Sequence, residues 1–327
     1  MNRPTPIPSK QGSRTADARR QFSSLEGSGV GSGLQSAKGL RRILTDLADE
    51  KLAAAVELNS AERLRLEGRL PWVEFHDDGD AIRVFAGDTW PANLVARARF
   101  TPATAHGRVG EILAPHLQNR VACNWVVGPV SQPTDLSQHL RTHGFKCMIH
   151  CAGMACDLDK LPPAPPKPES VTIQLADDPP ALEPLTTERR RRRQQGRNAM
   201  ARMTPRQVWY FAASLDGKPV GGTTLCIGAG VAGIYDVEVL ETFRRRGIGT
   251  ALVRAALVDA RERFGYRAAV LAATGMGLGV YTRLGFREVC KLSFWKYGKM
   301  RQQPSLRNVL PNAAKSFWNV HLPAKGV

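Results

Sequence analysis

The run Gly233-Ile234-Tyr235-Asp236-Val237-Glu238-Val239-Leu240 is followed by Arg244-Arg245-Arg246-Gly247-Ile248-Gly249 and then by an amphipathic stretch reaching Phe264. A polar-alternating run reads as a strand, and apolar residues at helical spacing read as a helix. The turn between them therefore carries consecutive backbone N–H groups at a helix N-terminus. Glycines let such a main chain approach phosphate oxygens, and the helix dipole favours negative charge, so the turn is suited to a pyrophosphate. Arg244 to Arg246 add charge at its mouth. Further on, Tyr281-Thr282-Arg283-Leu284-Gly285-Phe286 closes a short helix on a glycine before another apolar strand.

These two elements, in this order, resemble the GNAT family of acetyl-coenzyme A-dependent N-acyltransferases. The family's pyrophosphate motif, Arg/Gln-x-x-Gly-x-Gly/Ala, is matched by Arg244, Gly247 and Gly249. Its later tyrosine, four residues before Gly-Phe, is matched by Tyr281, Gly285 and Phe286. The resemblance implies an α/β (α+β) fold, a mixed central sheet flanked by helices. It also implies acetyl-CoA as co-substrate, no metal, and a small-molecule or peptide amine that attacks the thioester directly.

Site residues follow from the same resemblance. Val237, Glu238 and Val239 match the strand that pairs with the pantetheine arm. Arg244, Arg245, Arg246, Gly247, Ile248, Gly249 and Thr250 match the pyrophosphate turn, and Tyr281 matches the general acid that protonates the leaving thiolate. For a base, strand alternation aims Asp236 and Glu238 to one face, opposite Val237 and Val239; Glu238, nearer the turn, is the stronger candidate. The plain readings stand beside these: a buried strand, a solvated arginine turn, a tyrosine that only packs, two salt-bridged carboxylates. One departure is Gly275, which stands where family members often carry a coenzyme-contacting asparagine.

Organisation along the chain gives five segments. Residues 1–42, rich in Ser, Gly, Pro and Arg, read as a disordered basic tail. Residues 43–160 begin with leucines from Leu44 to Leu70 spaced as one helix and continue as alternating strands and helices. Cys123–Gly128 with Leu140, Gly144 and Phe145 echoes the later strand and Leu284-Gly285-Phe286, but Thr104–Arg108 lacks the paired glycines and leading arginine. This part is expected to be a degenerate GNAT-like lobe, or else an unrelated α/β lobe. Residues 161–169 are a proline-rich linker. Residues 170–298 are the expected catalytic GNAT domain, with a helical region over 180–200, and residues 299–327 a basic C-terminal tail.

The net charge of +17 is local in origin. Residues 1–42 carry eight basic against two acidic side chains, 299–327 five against none, and 188–202 seven against one. The excess thus lies in two tails and around Arg189 to Arg193, where a charge run usually forms a solvated helix face. The other reading of that run is attraction of an acidic acceptor. A nucleic-acid interface is not expected, because no aromatic-interleaved basic face accompanies the charge. No apolar run is long enough to span a bilayer, no membrane association is expected, and the cytoplasm is the expected compartment. Cys147, Cys151 and Cys156 fit no paired zinc spacing, and alternation would put the first two on one face and the third on the other. The alternatives to an enzyme are a non-catalytic GNAT-fold binding or regulatory protein and, behind it, a nucleic-acid-associated protein acting through its basic tails.

Overall fold

The computed structural model describes residues 43–298 apart from Trp90, Ala164, Pro165, Lys167, Glu183 and Met276, and both expected tails lie outside the described residues. The first half runs α1 (Asp49–Glu67), β1 (Glu74–Asp77), β2 (Ile82–Phe85), β3 (Leu94–Ala96), α2 (Ala105–Gln118), β4 (Cys123–Val127), α3 (Leu136–Thr142) and β5 (Lys146–Asp157). The second runs β6 (Val171–Ala176), α4 (Glu188–Ala201), β7 (Val208–Leu215), β8 (Lys218–Gly228) and β9 (Val231–Val239). It ends with α5 (Ile248–Glu262), β10 (Ala268–Ala273), α6 (Leu278–Arg283) and β11 (Arg287–Tyr297).

All eleven strands belong to one mixed sheet, ordered β1-β2-β3-β4-β11-β5-β10-β9-β8-β7-β6. The two halves exchange their final strands. β5 pairs with β10, and β11 pairs with β4, while β5 and β11 lie antiparallel to each other. Residues 161–169 therefore connect β5 to β6 without dividing the sheet. An isolated second half would leave the outer edge of β10 unpaired, a hazard that the exchange removes.

Two helical layers cover the sheet. On one face, Leu52, Ala55 and Val56 of α1 pack on Val126, Cys151, Val270 and Phe294. Farther along that face, Leu66 and Leu70 meet Met200 of α4 over Tyr210 and Tyr235. On the other, α5 packs Leu252, Val253, Ala256 and Leu257 against Phe211, Leu225, Ile234 and Leu271. There α2 and α3 pack Val109, Ile112 and Leu140 around Trp125 and Trp295. Consecutive residues Trp125 and Val126 divide between the two faces, as a strand requires. Both short helices end alike: Gly144 after α3 has φ 82° and Gly285 after α6 has φ 90°. That left-handed stop is accessible to glycine without strain.

Several expectations are corrected. The first helix is Asp49–Glu67, shorter than the Leu44–Leu70 stripe, and Leu58 is only half-buried while Glu57 and Asn59 are fully buried. The reason is that their polar groups are satisfied within the fold. Glu57 accepts from Ser131 Oγ (2.6 Å) and Val130 N (2.7 Å), and Asn59 donates to Gly228 O (2.9 Å). The helical region over 180–200 begins only at Glu188; Pro179, Pro180 and Pro184 oppose a helix, and Thr187 Oγ1 caps it by accepting from Arg190 N (3.2 Å). Cys147 joins the face of Trp125 and Trp295, whereas Cys151 lies on the α1 face. A bulge opposite Phe294–Trp295 shifts the register between them and breaks the alternation.

Gly233 marks where α1 touches the sheet most closely. A Cβ there would stand 1.9 Å from Asn59 Oδ1, an atom already accepting from Tyr235 Oη at 2.6 Å. Gly233→Ala is expected to destabilise the fold by about 1–3 kcal/mol through overpacking. Denaturant midpoints of the two proteins check this, and equal midpoints would contradict it.

Candidate active site

β9 pairs with β8 from Val231 to Val239 but with parallel β10 only at Ala232 and Gly233. Beyond Gly233 the strands part, so the backbone edge of β9 that faces β10 carries no ladder from Ile234 to Val239. Between Tyr235 and Glu238, β9 has one residue more than β8, and Asp236 takes φ 50°. This bulge sends two consecutive side chains to the α1 side: Tyr235 reaches Asn59, and Asp236 reaches Arg63. Val237 and Val239 pack on the opposite, α5-side core.

A 3₁₀ turn over Glu241–Phe243 leads into the arginine segment. Arg245 (φ 60°) and Gly247 (φ 80°) are both left-handed, and Gly247 caps α5 without any side chain. Ala251 N donates to Gly247 O (3.0 Å), but the N–H groups of residues 245–250 have no acceptor among the described residues. Six neighbouring amides at the start of a fifteen-residue helix thus remain available to an anion. Arg244 is not available in the same way, since its Nε donates to Val239 O (3.0 Å) and ties the turn to the strand end. The Arg246 guanidinium lies over Phe243 at 5.5 Å. Pro166 of the linker passes the turn, its carbonyl 3.1 Å from where a Cβ on Gly247 would stand.

Tyr281, on α6, borders the same apolar cluster as Val237 and Val239. Its ring meets Phe286 edge-on at 6.0 Å, and its hydroxyl has no hydrogen-bond partner among the described residues. Burial pushes the phenol up to about 12, so it stays protonated through neutral pH. Gly275 faces open space.

Asp236 and Glu238 share one side of β9 and one partner, Arg193 of α4. Arg193 bonds Glu238 and lies 3.8 Å from Asp236, and Arg197 reaches Glu238 at 3.3 Å. From α1, Arg63 reaches Asp236 (2.9 Å) and Glu67 (3.0 Å) while stacking over Tyr235 at 4.5 Å. Burial alone would raise the Asp236 carboxyl, but Arg63, Arg193 and Arg197 outweigh it and hold the group well below its ordinary range. The arginine run is therefore only partly a solvated face: Arg192 pairs with Glu188 and lies over Trp72, whereas Arg193 and Arg197 turn inward. Arg63, Glu67 and Arg197 were not singled out from sequence. Arg63 and Glu67 have the i,i+4 spacing common on exposed helix faces, and no local signal links them to a strand in the other half.

Of these groups, Arg197, Asp236 and Glu238 border a cleft of about 310 Å³, open mouth included. Its floor is Ala212, Gly222 and Thr224 of the sheet, and its rim includes Pro179 and Leu182 from the β6–α4 loop. The small floor residues leave the room that larger side chains would fill.

Residues 172–286 match the Acetyltransferase (GNAT) family. Solved structures with this fold include a GCN5-related N-acetyltransferase from Kribbella flavida, 21% identical, covering 74% of this chain and 95% of that one with a TM-score of 0.53. Another is a tandem GNAT protein from the clavulanic acid biosynthesis pathway, 17% identical, covering 77% of this chain and 95% of that one with a TM-score of 0.52. No curated protein matches the chain.

Proposed function

We propose that this protein, whose residues 172–286 match the Acetyltransferase (GNAT) family, is an acetyl-CoA-dependent N-acetyltransferase acting on an amine. The observation that carries the proposal is the turn over residues 245–250, whose amides have no acceptor among the described residues and lie at a helix start that follows the parting of β9 and β10. Acetyl-CoA, as substrate, supplies an activated thioester. The turn amides of residues 245–250 would hold its pyrophosphate, with the exposed side chains of Arg245 and Arg246 adding charge. The unladdered edge of β9 at Val237, Glu238 and Val239 would bind the pantetheine arm as an added strand and polarise the carbonyl.

On the acceptor side, the ammonium proton passes through water to Glu238, whose carboxylate borders the cleft. The amine nitrogen then forms a bond to the acyl carbon as the carbon–sulfur bond breaks. Tyr281 gives its proton to the sulfur and recovers one through water from the acylated nitrogen, so the products are a neutral acetamide and a free thiol.

Isothermal titration with acetyl-CoA tests the reading directly, and no detectable binding at millimolar concentration ends it. Gly247→Val is expected to weaken that binding roughly tenfold or more, because a left-handed backbone costs L-residues about 1–2 kcal/mol and the turn must move to escape it. Unchanged affinity would remove the turn from the site.

A further inference from the structure

The cleft beside β9 holds two hydrogen-bond donors that the protein leaves unused. The Tyr210 hydroxyl and the Arg197 Nε–H are buried with no partner among the described residues. Both residues line the cleft together with Asp236 and Glu238, and Tyr210 is only 5% exposed. Buried polar groups in native proteins are nearly always paired, so two orphans in one cleft point to a ligand oxygen that meets them.

The carboxylates of the cleft are already paired with arginines. Glu67, Asp236 and Glu238 alternate with Arg63, Arg193 and Arg197 in a continuous series of ion pairs. A polyamine or a basic peptide would find only Asp236 and Glu238 in the cleft, both already paired with arginines, and would leave the Arg197 Nε–H and Tyr210 O–H unmet. A zwitterion fits it: an ammonium group finds the carboxylates of Asp236 and Glu238, and a carboxylate accepts from Arg197 Nε–H and Tyr210 O–H. Burial raises the Tyr210 phenol, which therefore remains a donor at neutral pH. Pro179, Pro180 and Leu182 give the remaining wall an apolar character suited to an aliphatic or aromatic side chain.

We propose that the acceptor is a free apolar amino acid, and that Tyr210 and Arg197 select it by binding its carboxylate. This deepens the acetyl-transfer reading and rests on it. The amino group attacks the thioester carbonyl carbon, the carbon–sulfur bond breaks, and the N-acetyl amino acid leaves with the coenzyme thiol.

The test uses the full chain, saturating acetyl-CoA and continuous detection of free thiol. Acceptors are offered in matched sets: alanine, leucine and phenylalanine, each beside its amide and its decarboxylated amine. At least one free amino acid is expected to exceed its amide and amine in kcat/KM by roughly tenfold or more, as a hydrogen bond to a charged group allows. Tyr210→Phe is expected to raise KM for that amino acid by a similar factor, with the amide unaffected. Because the hydroxyl is unpartnered in the free protein, this variant should keep or raise the thermal midpoint. Equal or better turnover of the decarboxylated amines overturns the inference, as does a Tyr210→Phe effect of equal size on every acceptor. So does coenzyme binding without thiol release from any amino acid. Absence of coenzyme binding sinks the acetyl-transfer reading itself, and this inference with it.

Discussion

Replacing Tyr281 with phenylalanine is expected to lower kcat by roughly 10²–10⁴-fold, the range that a positioned proton donor contributes. Coenzyme affinity should not change, since the substitution keeps the ring that packs against Phe286 and removes only a hydroxyl without a hydrogen-bond partner among the described residues. Burial holds that phenol up to about 12, which keeps the proton in place across the physiological range. Steady-state rates paired with titration of acetyl-CoA separate the two effects. A variant with unaltered kcat would leave Tyr281 as a packing residue and return the proton to solvent.

Asp236→Ala is expected to cost about 3 kcal/mol of stability, because it takes from the buried Arg63 guanidinium one of its two carboxylates, leaving Glu67 alone, and takes a second carboxylate from Arg193. The pair is well shielded, with side chains 15% and 16% exposed, so solvent screens it little. Its pH dependence has a definite sign. The folded carboxyl lies below its ordinary value of 3.8, so its stabilising contribution is complete above that pH and fades as pH falls through the lower folded value. The gap between wild type and variant should therefore narrow in acid below pH 3.8, measured as denaturant midpoints. A gap of constant size from neutral pH into acid would mean that Asp236 owes nothing to the three arginines. Loss of this network should also loosen Glu238 and the cleft, since Arg193 bridges both carboxylates.

The readable and unreadable parts of this site differ in range. The strand, the turn and α5 are contiguous, and each is encoded by its own residues: alternation in β9, glycine at a left-handed position, an apolar stripe behind Ile248. The partner of Asp236 lies 173 residues away in the chain, on a helix whose polar residues resemble an exposed face. The bulge at Asp236 was hidden as well, because an aspartate in a strand announces no positive φ, although Asp tolerates that region better than most residues. Glu57 and Asn59 mislead in the opposite direction: they look exposed, yet loop amides and strand carbonyls from elsewhere make their burial affordable.

The strand, the glycine-bearing turn and the helix behind it were legible because short-range backbone and side-chain chemistry dictates them, and Tyr281 because it stands at a fixed distance before Gly285-Phe286 in a family motif. Strand exchange was not, since β5 and β11 are both long strands partly apolar on each side, and either could satisfy the open edge of β10 by pattern alone. Only the assembled sheet chooses between them, through register and packing summed over many distant contacts. The same assembly brings α1 of one half over the carboxylates of the other and so pairs Asp236 with Arg63.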